Sequence, residues 1–254
     1  MAPLLELIDW IDQNKLSQEK LDTLYQAAPQ TECPKTCSDC CRLTEEEMQG
    51  DIAVMYPLYK AEYFKIVSYI HKCFPEETVK NLLTLRDERP QICPFLIVKN
   101  HACLIYPARP YLCRIYGILS ADELEMAKSL YQKKLPESWL REFLRMDSCL
   151  ICEKIRVNDS GKMNYIDQRA RGEDARALWK LSCQVPPHPR EIEVESLTEG
   201  TLLIWTWGGF NALYASEESW FRSHFQEYWK KTALGFAPQV RSEKSADCVD
   251  CEEG

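Results

Sequence analysis

Cys33-Pro34-Lys35-Thr36-Cys37-Ser38-Asp39-Cys40-Cys41 places four thiols within nine residues. Packing alone does not ask for that. Thiolates are soft ligands, and three or four at short spacing suit zinc or an iron–sulfur cluster. The alternative, several small buried hydrophobes that happen to cluster, would leave reactive thiols together in a loop as an oxidation hazard. The stretch must be a loop, because Cys33-Pro34 does not continue a helix. Cys40 and Cys41 are adjacent and point different ways, so they suit two edges of a site, or two metal ions, better than one corner.

The surrounding composition is that of a folded protein. The chain has 254 residues, 45% apolar and 11% aromatic, with a formal net charge of −8. A nucleic-acid surface would carry a basic excess, which is missing here. The most apolar stretch, Leu202 to Phe210, is short and interrupted by Thr206 and two glycines, so no membrane span is expected. Glu6, Asp9 and Asp12 interrupt the N-terminus, which does not read as a secretory signal. The expected setting is the cytoplasm. In that reducing compartment 13 cysteines are not a disulfide framework, and an odd number leaves one outside any full pairing.

Working outward, Pro3 to Lys15 and Ser17 to Ala28 read as helices ahead of the loop. Thr44-Glu45-Glu46-Glu47 is a capping box for a helix towards Met55. Beyond the break at Tyr56-Pro57, Tyr59, Tyr63, Ile66, Val67 and Ile70 form the inward stripe of a helix reaching Lys72. Pro75 opens another, to about Arg89. Ile92 to Val98 and Cys103 to Tyr106 read as a small hairpin around Lys99-Asn100-His101-Ala102. Tyr111 to Tyr116 makes one or two helical turns ended by Gly117, and Ser120-Ala121-Asp122-Glu123 is a second capping box. Pro136 to Met146 is helical, Cys149 to Val157 extended, and Ile166 to Leu181 helical. Leu202 to Trp207 fits either a strand or a buried helix start. Ser216 to Lys231 is an amphipathic helix with Trp220, Phe221, Phe225, Tyr228 and Trp229. The fold class is mainly α: an irregular helical domain around a cysteine-ligated metal site, with one small β-hairpin. The expected division is a metal-binding domain over residues 1–160, a helical extension over 161–241 and a disordered tail over 242–254.

Further thiols add to the loop. Cys93 and Cys103 sit on the hairpin, which brings distant sequence together as a metal loop needs. Cys113 lies on the short helix beside Arg109 and Arg114, whose charge can offset a polythiolate and whose N–H groups can reach sulfur. Cys149-x2-Cys152 is strong as half of a second site and weak alone. Cys248-x2-Cys251 is a tail pair, Cys183 stands apart, and Cys73 at a helix end is expected in the core. The four histidines (His71, His101, His188, His224) are scattered, and Gly208-Gly209 is not a phosphate loop.

The ordered set CxxxCxxCC, then Cys93-Pro94-Phe95-Leu96, then Cys103-Leu104-Ile105-Tyr106-x2-Arg109-Pro110-x2-Cys113-Arg114-x-Tyr116, resembles the CxxCxxCC cysteine-cluster family. Its members are described as zinc- or iron-chelating proteins. The resemblance covers roughly Cys33 to Gly117, with three residues rather than two between Cys33 and Cys37. It implies metal binding by Cys33, Cys37, Cys40, Cys41, Cys93, Cys103 and Cys113. An eighth thiol is implied by analogy, for which Cys149 or Cys152 fits. Flagellin lysine N-methylases carry a related cluster domain, which implies that some relatives use an iron–sulfur centre in an enzyme.

Thiolate-only ligation suits zinc and iron–sulfur alike. The neighbouring arginines and aromatics (Phe95, Tyr106, Tyr111, Tyr116) tip the reading to an iron–sulfur cluster, 4Fe–4S in type, over Zn. Cys33-x3-Cys37-x2-Cys40 also has the spacing of a radical-SAM cluster loop, which makes a cluster-dependent enzyme of radical or methyl-transfer type the runner-up. Against it, a helix rather than a strand precedes the loop and few strands follow. The third reading is a structural-zinc interaction module using the 216–231 helix as its partner surface; a core role for that helix is the simpler account. A protein partner or protein substrate is expected rather than a nucleic acid or a membrane.

Overall fold

The structure, a computed structural model, describes residues 2–13, 18–34, 37–45, 57–84, 90–120, 122, 123, 125, 129, 152–157, 162–170, 173–192 and 204–215. The expected helices over 44–55, 136–146 and 216–231, the tail, Cys149, Cys248 and Cys251 lie outside the described residues. The fold is mainly helical, with paired strands of two or three residues. Two compact units are built from interleaved segments. One comprises Met1–Leu16, Cys41–Phe95 and Ser182–Gly254; the other comprises Ser17–Cys40 and Leu96–Leu181.

The first unit is assembled around an aromatic core. Helix α1 (Ala2–Gln13) buries Leu7, Ile8 and Ile11, spaced to share one face. Strand β2 (Pro57–Tyr59) leads into helix α3 (Lys60–Cys73); α2 and β1 belong to the other unit. Tyr63, Ile66, Val67 and Ile70 are fully buried, as their spacing requires. Lys60, Ala61, Glu62 and Phe64 are buried too, so the first turns of α3 have no solvent face. Tyr59 departs from the expected helical stripe. It ends β2, and its N–H donates to the Glu62 carboxylate at 3.1 Å, which starts the helix. Cys73 is exposed rather than core, because the last residue of α3 lies past the apolar stripe. Helix α4 (Glu76–Leu83) follows, turning Val79 and Leu83 inward.

Strand β6 (Ile204–Thr206) pairs antiparallel with β2, with Leu58 opposite Trp205. The chain then passes at once into helix α8 (Trp207–Phe210) and a wider π-type turn, Asn211–Ala215. Both expectations for this stretch are therefore met in part, strand first and buried helix second. Thr206 Oγ1 caps the junction by accepting from the Gly209 N–H at 3.1 Å. The rings of Tyr63, Phe64, Trp207, Phe210 and Tyr214 pack with centroids 4.9–5.9 Å apart. Burying each contributes roughly 1.5–3 kcal/mol before the cost of ordering it.

The polar groups inside this unit are answered. Lys60 and Glu191 form a buried ion pair at 3.2 Å. Glu191 also accepts from the Tyr214 hydroxyl at 2.6 Å and the His188 N–H at 2.7 Å. The Tyr63 hydroxyl donates to Asn211 Oδ1 at 2.8 Å, and burial raises its pKa well above the usual phenol value. The Leu82 carbonyl receives both Asn211 Nδ2 and Trp207 Nε1.

The second unit is built from short pieces. Helix α2 (Gln18–Ala27) buries Leu21 and Tyr25. Strand β1 (Thr31–Glu32) pairs antiparallel with β5 (Arg156–Val157), a contact across more than a hundred residues that no local pattern announces. Strands β3 (Leu96–Ile97) and β4 (Ala102–Cys103) form the expected hairpin. Its turn places His101 at φ 54°, with Asn100 Oδ1 accepting from the Ala102 N–H. Helix α5 (Tyr111–Ile115) is followed by Gly117 at φ +76°, the left-handed position that ends it. The capping box at Ser120 forms, with reciprocal bonds to Glu123. Residues 152–155 make a turn ahead of β5, so of the described part of the segment expected as extended only Arg156–Val157 is strand. The expected helix from Ile166 to Leu181 is two helices, α6 (Lys162–Ala170) and α7 (Glu173–Cys183).

Among the described residues no helix is long and apolar enough to cross a membrane.

Candidate metal centre

The boundary between the two units falls inside the opening motif, between Cys40 and Cys41. In the first unit the Cys93 N–H donates to the Cys41 carbonyl at 2.9 Å, and Arg42 bridges to Ile92. Cys93 is buried, and its sulfur accepts the Phe95 N–H at 3.3 Å. An N–H donor to sulfur is the kind of contact that orients a metal-ligating cysteine. Cys183 is half-buried in the same unit and Cys73 exposed.

The second unit holds Cys33, Cys37, Cys40, Cys103, Cys113 and Cys152, none of them in a disulfide. Cys33 and Cys40 are exposed and the others half-buried. The cluster loop is tied down on both flanks. The buried Ser38 hydroxyl meets His101 Nδ1 at 2.8 Å, joining the loop to the hairpin turn. Asp39 pairs with Lys154, which raises the lysine pKa. Neither contact was readable from the motif, since nothing in the sequence links Ser38 to His101 or Asp39 to Lys154.

The thiols sense one another. Burial raises the Cys33 pKa; Cys40, Cys37 and Cys152 raise it further as like charges, and Arg109 opposes them. Burial likewise raises Cys103, with Cys40 adding to it, while the Ile105 N–H and Arg109 pull the other way. Cys103 thus has the same donor, two residues on, as Cys93. Like charges that raise the Cys33 and Cys103 pKa describe a site that a cation would relieve. Among the described residues, no three Cys, His, Asp or Glu side chains stand at metal-clasping distance.

The two arginines have different surroundings. Arg114 gives Nε to the Arg109 carbonyl at 2.9 Å and an amino group to the Pro107 carbonyl at 2.7 Å, and it lies over the Tyr25 ring. It therefore fixes the backbone that carries Arg109. Arg109 lies over Tyr106 with its carbon 4.3 Å from the ring centroid and reaches Thr31 Oγ1 at 3.5 Å. Its Nε is the one buried side-chain nitrogen or oxygen without a hydrogen-bond partner among the described residues. An orphaned cationic donor among mutually repelling thiols is what an anionic polythiolate centre would answer.

Residues 32–134 match the family model CxxCxxCC, described as "Putative zinc- or iron-chelating domain". The match spans less than half of the chain. No curated protein and no solved structure matches the chain. The matched segment takes in Cys33, Cys37, Cys40, Cys41, Cys93, Cys103 and Cys113 with both arginines. Cys152 lies beyond it. The donor set fits the metals of the family description: soft sulfur ligands, N–H groups on sulfur and a cationic donor left over.

Proposed function

We propose that this protein binds an iron–sulfur cluster of the 4Fe–4S type, in preference to zinc, and does so in the reducing cytoplasm. Cys33, Cys37 and Cys40 supply three of its thiolates, and Cys103 and Cys113 stand in the same unit. The observation that carries this reading is the pairing of these thiols with Arg109, whose buried Nε has no partner. Such a cluster, when bound, supplies a one-electron centre. Arg109 would donate to its sulfur and compensate its negative charge, and the Tyr106 ring covers the guanidinium. Arg114 positions Arg109 through the carbonyl it holds. Zinc would take the same thiolates; the preference for a cluster rests on the arginines and on the aromatics Phe95, Tyr106, Tyr111 and Tyr116 that neighbour the thiols in sequence.

The test is metal and sulfide analysis of protein prepared without oxygen, together with its visible spectrum. Brown protein with a broad charge-transfer band and matched iron and sulfide is expected. Colourless protein carrying stoichiometric zinc and no sulfide would overturn the reading.

A further inference from the structure

We infer that Cys152, which lies outside the matched segment, is a ligand of the centre that Cys33, Cys37 and Cys40 begin, delivered by a turn docked onto the cluster loop. This rests on the proposed function only in requiring a thiolate-bound metal.

Three separate contacts deliver that turn. The first is the β1–β5 ladder, in which Glu32 faces Arg156 in antiparallel register. Cys33 leaves β1 at the same end at which residues 152–155 enter β5, so the ladder brings the two thiol-bearing segments together. The second is the ion pair between Lys154 of the turn and Asp39 of the loop. The third is Gly117. A β-carbon there would lie 2.4 Å from the Cys152 Cβ and 3.0 Å from the Ile155 Cγ2, inside any real contact. Gly117 thus ends the Cys113 helix and clears the space in which Cys152 sits. The turn closes on itself through the Ile155 N–H and the Cys152 carbonyl. A CxxC at 149–152 reads in sequence as half of a second site; the fold directs its second cysteine to the first.

The test uses the full chain prepared without oxygen and measures metal content per chain and metal affinity by chelator competition. Cys152→Ser is expected to lose at least roughly tenfold in affinity, since even an outer partner of a metal ligand is worth that much. Cys73→Ser and Cys183→Ser, thiols of the other unit, are expected to keep wild-type affinity. Cys152→Gly is expected to regain metal when 2-mercaptoethanol is supplied as an external thiolate, which a merely structural cysteine would not do. Gly117→Ala, which keeps every thiol, is expected to weaken binding by crowding the turn. Wild-type affinity in Cys152→Ser, or a folded Cys152→Gly that loses metal and is not rescued by thiol, would overturn the inference. A wild type that holds zinc without sulfide overturns the iron–sulfur reading alone, because the Cys152 variants are then read on zinc. A wild type that holds no metal overturns both.

Discussion

The two units differ in one buried polar group. In the first, Lys60, Glu191, Tyr214, Tyr63, Asn211 and Trp207 each find a partner inside the protein. In the second, Arg109 keeps a buried donor without one among the described residues, and its charge opposes the raised pKa of Cys33 and Cys103. An unanswered buried donor costs about 1–3 kcal/mol. The cluster proposed for the second unit would answer that donor.

The sharpest way to break this contrast is metal removal. Anaerobic chelation should accelerate amide exchange at Ile105 and Ile115 in the second unit by roughly hundredfold or more, since structural thiolate sites couple binding to folding at about 10 kcal/mol. Exchange at Ile66 and Val67 of the first unit should change little. Equal acceleration in both, read by hydrogen exchange with mass spectrometry, would erase the distinction.

Next comes Glu191→Ala, which leaves the Lys60 ammonium buried without its carboxylate. It should destabilise by about 3–5 kcal/mol in denaturant melts, while a paired Lys60→Met, Glu191→Leu change should be much milder. Metal content should stay at the wild-type level in both.

A smaller effect is expected from His188. Burial, aided by the Arg190 charge, lowers its pKa to about 4. Its Nδ1 accepts the Arg190 N–H at 3.2 Å, the role of a neutral ring, and Glu191 and the rings of Trp10 and Tyr214 surround it. The unfolded chain therefore takes up a proton first as pH falls. The stabilising contribution is complete above the ordinary histidine pKa of 6.5 and is lost as pH falls through that value to about 4. Because the ring is partly exposed, the size is about 1 kcal/mol. His188→Gln should flatten stability against pH in that window; an unchanged slope would remove His188 as its source.

The smallest change in stability, under about 1 kcal/mol, is expected for Arg109→Gln, which removes a charge that has no carboxylate partner among the described residues. Its effect should appear at the cluster instead, as a more negative reduction potential in a redox titration, because a cation and an N–H donor to sulfur favour the reduced form. An unchanged potential would place Arg109 away from the cluster.

What the sequence determined by itself was everything with a local cause. The stripe through Tyr63, Ile66, Val67 and Ile70 repeats with the helical period, so α3 was legible. The Ser120 box and Gly117 announce themselves because capping and left-handed backbone are properties of a few adjacent residues. The thiol cluster was legible because soft ligands at short spacing have few other uses. Only the tertiary structure decided that Cys40 and Cys41 fall in different units, that β2 precedes α3 where a longer helix was expected, and that Cys152 meets Gly117. Each depends on a pairing of two or three residues, β1 with β5 or β2 with β6, across more than a hundred residues of chain. Ladders that short have no period to read, and their partners are chosen by the packing of everything between them.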